Sequence, residues 1–251
     1  MTPRDDLAGR PGLYRKAQGL WASLTEREQK ECLASQYAAV TEIDRAYGRL
    51  LDRLDASGRR ENTLVVFTSD HGNLLGAHGL LAHNVSAFEE NYHIPMLASG
   101  PGLPKGARCH GRVGLHELGP TLLDLAGLPA LDAPGSRSFA PLLREPAAHE
   151  GAFTSGYAEY FGARYRLTQR VLWDGCWKFV FNGFAADELY DLDADPHELA
   201  NLAARPAHRD RAMAMMRKVW ARVRDTGDRT LWESHWCGVR WASCGPLSAR
   251  D

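Results

Sequence analysis

The chain has 251 residues, 44% of them hydrophobic and 24% charged, with a net charge of −1. That is the make-up of a folded protein of one large or two modest domains, without the clustered basic charge of a nucleic-acid binder and without an apolar run able to cross a bilayer. Its five cysteines (Cys32, Cys109, Cys176, Cys237 and Cys244) are odd in number and lack C-x-x-C spacing, which excludes a zinc ribbon and argues against a disulfide framework.

Residues 1–22 are polar and punctuated by Pro and Gly, with no periodicity that would bury a face, and the opening "MTPRDDLAGRPG" carries no apolar core of a signal peptide. The expected location is therefore the cytoplasm. From Thr25 the pattern changes. Leu33, Tyr37, Val40, Ile43, Tyr47, Leu50, Leu51 and Leu54 recur at helical intervals, Thr25 with Glu28 forms a capping box, and Gly58 is placed to end the helix. "TLVVFTS" predicts a buried strand and "IPMLASGPG" a second one closed by a Pro/Gly turn. "ELGPTLLDLAGLP" predicts a short helix with Pro near its start. Helix, strand, loop, strand, helix is the order of an α/β sheet domain.

After about Pro146 the character shifts. "GAFTSGYAEYF", "YRLTQRVLWDG" and "CWKFVFNG" are short, aromatic and β-branched, and predict an antiparallel sheet. "DELYDLDADPHELANLA" predicts a polar turn leading into a helical segment. "AHRDRAMAMMRKVWARVRDTG" predicts an amphipathic helix whose Met and Trp stripe packs a core. The tail, "LWESHWCGVRWASCGP", holds three tryptophans without a period. Two units follow, residues 1–146 and residues 147–251.

The segment "SDHGNLLGAHGLLAHN", Ser69–Asn84, follows directly on the first strand. Ligand loops in open α/β sheets lie at the carboxyl ends of strands. Asp70 offers a hard anionic oxygen and His71 a neutral imidazole, a donor pair suited to a divalent cation. Glycines at 72, 76 and 79 would let backbone approach a bound anion. On spacing alone the competing reading is that Asp70 caps the following helix and His71 is a surface histidine. Two ligands also fall short of the four to six donors a complete site needs.

The wider pattern decides between them. "YAAVTEIDRAYGRLLDRLDASGRRENTLVVFTSDHGNLLGAHGLL", followed in order by "FEENYHIPMLASGPG", "LGPTLLDLAGLP" and "ELYDLDADPHELANL", resembles the sulfatase family of the alkaline-phosphatase-like superfamily, from about Tyr37 to Ala203. The resemblance implies an α/β fold: part of an alkaline-phosphatase-like sheet flanked by helices in residues 1–146, and a C-terminal subdomain of small antiparallel sheet and packing helix in residues 147–251. It implies that Asp70 and His71 are the late metal-binding pair of the family, holding a Ca2+-type cation, with Mn2+ or Mg2+ as alternatives. It also implies a sulfate ester as substrate. The family carries a lysine shortly after the "HGL" element, contacting sulfate and the leaving oxygen. Here His83 stands at that position and is the candidate catalytic residue, with a charge that depends on pH where a lysine's does not. The neighbouring Asn84 is an alternative occupant. His78 and His93 match no ligand position and read as loop or surface histidines; His116 and Glu117 read as structural.

Family members attack with a formylglycine made from Cys or Ser in a C-x-P/A-x-R signature. This chain has none: "CLASQ" at Cys32–Gln36 ends in Gln36 and lies within the predicted long helix, where a nucleophile has no pocket. The early Asp-Asp ligands of the family would lie before Met1. The expectation is the C-terminal half of a sulfatase, with a complementary N-terminal half as partner and neither nucleic acid nor membrane. The alternatives are a phosphonate monoester hydrolase or phosphodiesterase of the same superfamily, and an inactive remnant with a binding or structural role.

Overall fold

The computed structural model describes residues 5–81, 83, 86–162, 167–232 and 244. Helix α1 (Gly12–Ala22) follows Pro11, and the segment around it departs from expectation. Leu7 and Tyr14 are fully buried in a cluster with Leu74, Ala77, Leu80, Phe88 and Tyr190. The burial comes from single anchors rather than a stripe, which is why no periodicity announced it.

Thr25 opens α2 (Glu26–Ala56) through the expected capping box, its hydroxyl accepting from the Glu28 N–H at 3.3 Å while the Glu28 carboxylate accepts from the Thr25 N–H at 2.7 Å. Gly58, at φ +70°, supplies the left-handed turn just past its end. No residue of this 31-residue helix is buried. Tyr37, Val40, Ile43 and Leu50 are 53–67% exposed, although their spacing is that of a core-facing stripe. The helix leans on the sheet through Tyr47, whose ring meets that of Phe67 edge-on at 5.2 Å.

Strands β1 (Val65–Thr68) and β2 (Met96–Ser99) pair antiparallel, Val65 opposite Ser99 and Thr68 opposite Met96. They read as strands covered on both faces, yet β1 is only half-buried and Leu97 of β2 is 66% exposed. Among the described residues neither strand pairs with a third. Short helix α3 (Glu89–Tyr92) precedes β2, and α4 (Leu118–Leu125) forms where its Pro and Gly signals placed it. Helices α5 (Ala140–Arg144) and α6 (Pro146–His149) complete this part, with Phe139, Leu142 and Phe153 packed against Met96, Val113 and Leu118.

The second sheet has four antiparallel strands in the order β3 (Ser155–Tyr160), β4 (Gln169–Asp174), β5 (Trp177–Asn182) and β6 (Glu188–Asp191). A two-residue turn, Gly175-Cys176 with Gly175 at φ +59°, links β4 to β5. The fourth strand is a correction: "ELYD" predicted a polar turn. Its charges disfavour a strand, but Leu189 enters the core beside Phe179 while Glu188 and Tyr190 find partners on the other face. Helix α7 (Arg209–Asp225) lays Met215, Met216, Val219, Trp220 and Val223 over Leu172, Phe179, Phe181 and Leu189, the core role expected of its stripe; each such side chain stabilises by about 1.5–3 kcal/mol. The opposite face packs Val171, Trp173 and Val180 against Ala87 and Tyr92. A last short helix, α8 (Arg229–Trp232), follows. Nearly all of the tryptophan-bearing tail falls outside the described residues. No helix among the described residues is long and apolar enough to cross a membrane.

Candidate metal centre

Strand β1 ends at Thr68, and the chain turns through Ser69, Asp70 and His71. The turn is held locally: Ser69 Oγ donates to the His71 carbonyl at 2.8 Å, and the Asp70 carboxylate accepts the His71 N–H at 2.9 Å. That backbone N–H, and then the His71 ring, hold the Asp70 carboxyl below its ordinary range. Asp70 Oδ2 and His71 Nε2 stand 3.5 Å apart, with the carboxylate 84% and the imidazole 40% exposed. Nδ1 of His71 faces the Gly72 carbonyl at 2.8 Å. A carbonyl only accepts, so Nδ1 is the donor in that contact, which leaves Nε2 on the side of Asp70 to serve as a ligand whenever the ring is neutral. This donor set fits a divalent cation as two members of a larger ligand shell.

The ring of His83 stacks on that of His71, centroids 4.3 Å apart and planes 23° from parallel. Imidazole lone pairs lie in the ring plane, so two stacked rings do not converge on one ion. His83 is therefore beside the Asp70–His71 pair rather than a third ligand of it. Asn84 lies outside the described residues.

The glycines serve the chain's own packing. At Gly72 a Cβ would come within 1.9 Å of the Glu90 carbonyl oxygen, and the Gly72 N–H donates to the Asn91 carbonyl at 2.9 Å. Gly76 and Gly79 press against Trp21 and Gln18 at positive φ. These close approaches account for the glycines without an anion.

His78 corrects the reading of a loop or surface histidine. It is fully buried, stacked on Phe88 at 3.7 Å, with Nδ1 3.0 Å from Asp5 Oδ2 and Nε2 3.6 Å from Glu90 Oε2. Burial opposes its charge, but the two carboxylates outweigh that and raise its pKa. Its backbone is left-handed, at φ +55°. His93 is exposed, as expected. Glu117 is structural: it accepts from the Gly114 N–H at 2.9 Å and from Arg137 Nε at 3.2 Å. Cys32 is exposed on α2, in keeping with its reading as helix filler.

Sequence reasoning missed a buried ionic cluster behind the turn. Lys178 of β5, fully buried, hydrogen-bonds Glu89 at 2.8 Å and makes an ion contact with Glu198 at the same distance. Trp173 Nε1 donates to the same Glu89 oxygen at 2.8 Å, and the Glu89 N–H donates to Glu198 at 2.6 Å. Burial works against the Lys178 charge, yet Glu198 and Glu89 hold its pKa up; burial pushes Glu198 to about 7 against the pull of Lys178. The available signal was a single lysine inside the apolar strand "CWKFVFN". One further donor cluster exists among the described residues: Cys176, Asp191 and Asp193, within 4.8 Å of one another at the β4–β5 turn. There the Asp191 carboxylate already accepts the N–H groups of Asp193 and Ala194.

Residues 13–128 match the family model for sulfatases, and residues 76–225 match that for the C-terminal region of N-sulphoglucosamine sulphohydrolase. Arylsulfatase K of Xenopus laevis is 32% identical over 197 residues, covering 72% of this chain and 35% of the relative. Choline-sulfatase of Rhizobium meliloti (strain 1021) is 31% identical over 191 residues, covering 73% and 35%. The solved phosphonate monoester hydrolase of Silicibacter pomeroyi shares the fold with a TM-score of 0.75 at 24% identity, over 90% of this chain and 49% of that one. The chain thus spans about a third of the length of these curated relatives.

Proposed function

The chain belongs to the sulfatase family, and on that premise we propose that it is the C-terminal part of a sulfuric ester hydrolase, contributing Asp70 and His71 to a divalent-metal site and His83 to the leaving-group side. The observation that carries this reading is Nε2 of His71 held 3.5 Å from the Asp70 carboxylate in an open turn, with Nδ1 turned to the Gly72 carbonyl. When bound, a divalent cation, Ca2+ in the first instance with Mn2+ or Mg2+ as alternatives, would neutralise the ester's anionic oxygens and the charge that builds on S–O cleavage. The chain's own contribution is positional. Ser69 and the His71 N–H fix the Asp70 carboxylate, the Gly72 carbonyl fixes the His71 tautomer, and protonated His83 would donate toward the departing oxygen.

The nucleophile and remaining ligands would come from a complementary N-terminal half. The unburied apolar stripe of α2 and the two-stranded β1–β2 sheet support such a partner, because soluble proteins seldom leave strand edges and apolar rows uncovered. The test is reconstitution: the chain is combined with an N-terminal half carrying the C-x-P-x-R signature and assayed on aryl sulfate and aryl phosphate, with Ca2+, Mn2+ or Mg2+. Sulfate release lost in Asp70→Asn and His71→Gln supports the proposal. Preferential cleavage of the phosphorus ester would favour the second reading, a phosphonate monoester hydrolase, which the likeness to the Silicibacter pomeroyi fold keeps in view. Assembly without turnover of either ester would favour an inactive binding or structural remnant.

A further inference from the structure

The Asp70–His71 turn rests on α3. Gly72 lies so close to the Glu90 carbonyl that no side chain fits between, and its N–H is bonded to Asn91. Helix α3 is one turn long, too short to hold itself in water, so its place is set by what grips it. Two successive glutamates do so in opposite directions. Glu90 reaches His78, which is braced by Asp5. Glu89 reaches into the four-stranded sheet, where Lys178 and Trp173 both donate to one of its oxygens while its N–H is taken by Glu198. Asn91 adds a bond from Nδ2 to the Ser86 carbonyl at 2.8 Å.

Lys178 carries the long-range part of this grip. It is fully buried, with its ammonium between Glu89 and Glu198 and near the faces of Trp173 and Tyr92. A buried charge of this kind costs desolvation and is seldom retained for stability alone. We propose that Lys178 is a positioning residue for the metal-ligand turn, acting through Glu89 and the α3 backbone on Gly72 and hence on Asp70 and His71. The C-terminal sheet then does more than cover a core: it sets the geometry of a turn on another part of the chain. The functional half of this inference rests on the reading of Asp70 and His71 as metal ligands; the mechanical half does not.

The test uses the chain 1–251 labelled for NMR, without metal or substrate. The readouts are hydrogen exchange at the Gly72 amide and the nuclear Overhauser contact between the His71 and His83 rings, with the Trp220 indole signal reporting the α7 core. In Lys178→Met, Gly72 exchange should rise at least tenfold and the ring contact weaken while the Trp220 signal is unchanged; Lys178→Arg should restore both. Unchanged Gly72 exchange and ring contact in folded Lys178→Met overturns the proposal. If Lys178→Met loses the Trp220 signal as well, Glu89→Gln, which keeps the side-chain shape, decides: faster Gly72 exchange with Trp220 intact supports the proposal. No change at Gly72, or joint loss of both signals, overturns it. Since no readout needs turnover, inactivity of the reconstituted enzyme would count against the functional reading alone.

Discussion

His71 and His83 stack ring on ring at 4.3 Å, which brings the residue proposed for the leaving-group side against the candidate metal ligand. In the reconstituted enzyme, His83→Lys should keep or raise activity and flatten its pH dependence between pH 5.5 and 8, because an ammonium stays charged across the range in which an imidazole titrates. A pH–kcat profile checks this. A His83→Lys enzyme with an unaltered profile would remove His83 from the leaving-group side.

Among the described residues Asp70 is bound within its own turn, and it is largely exposed. Asp70→Asn should therefore leave the melting of the isolated chain unchanged, while abolishing activity after reconstitution. With two protein donors in place, the isolated chain should bind Ca2+ or Mn2+ weakly and turn over no aryl sulfate. Calorimetric titration with each ion, alongside the ester assay, tests both statements, and stoichiometric tight binding would contradict them.

Val40, Ile43 and Leu50 form an exposed row on α2. Ile43→Glu with Leu50→Glu should raise the soluble monomeric fraction of the isolated chain and leave its folding stability within about 0.5 kcal/mol. The same pair should abolish assembly with an N-terminal half, read by size-exclusion chromatography of the mixture. Assembly at undiminished affinity would place the partner elsewhere.

Arg170 is fully buried on the α7 side of the sheet, its Nε bonded to Asp228 at 2.9 Å and 3.9 Å from Glu159. Asp228→Ala removes the nearest carboxylate from that guanidinium, leaving it Thr168, Thr230 and the more distant Glu159, and should cost about 3 kcal/mol. Asp228→Asn, which keeps an acceptor, should cost less. Urea denaturation of the two variants gives the comparison.

Stability should fall as pH rises from 5 to 8.5. Burial lifts Asp187 to about 7 against the Asn182 N–H, and lifts Glu198 to about 7 against Lys178. Each folded carboxyl thus keeps a proton that the unfolded chain has released, so stability is lost as pH climbs from the ordinary carboxylate range through 7. His78, opposed by burial but raised by Asp5 and Glu90, is stabilising when charged and loses that contribution as pH passes its raised folded value. All three act in one direction, while the lowered carboxyls of Asp5 and Glu89 matter only below this window. Urea midpoints at pH 5, 7 and 8.5 should decline in order, and Asp187→Asn should shallow the decline. A midpoint that rises with pH would refute the assignment.

By itself the sequence determined the elements whose causes are local. Thr25 and Glu28 cap α2, Gly175 turns the β4–β5 hairpin, the Met and Trp spacing of α7 makes its core face, and the order of strand then Asp70-His71 marks the turn. It also marked the stripe of α2 as apolar, but a stripe does not say whether anything covers it. What only the tertiary structure decided depends on groups distant in the chain. Leu7 and Tyr14 are buried because Leu74, Ala77, Leu80, Phe88 and, from β6, Tyr190 meet over them. "ELYD" is a strand because Phe179 and α7 receive Leu189. His78 is interior because Asp5, 73 positions away, neutralises it, and Lys178 is tolerated because Glu89 and Glu198 converge on it from two different segments. Each is a case of a polar or isolated apolar residue whose burial becomes favourable only when a remote partner arrives, and no local pattern encodes that arrival.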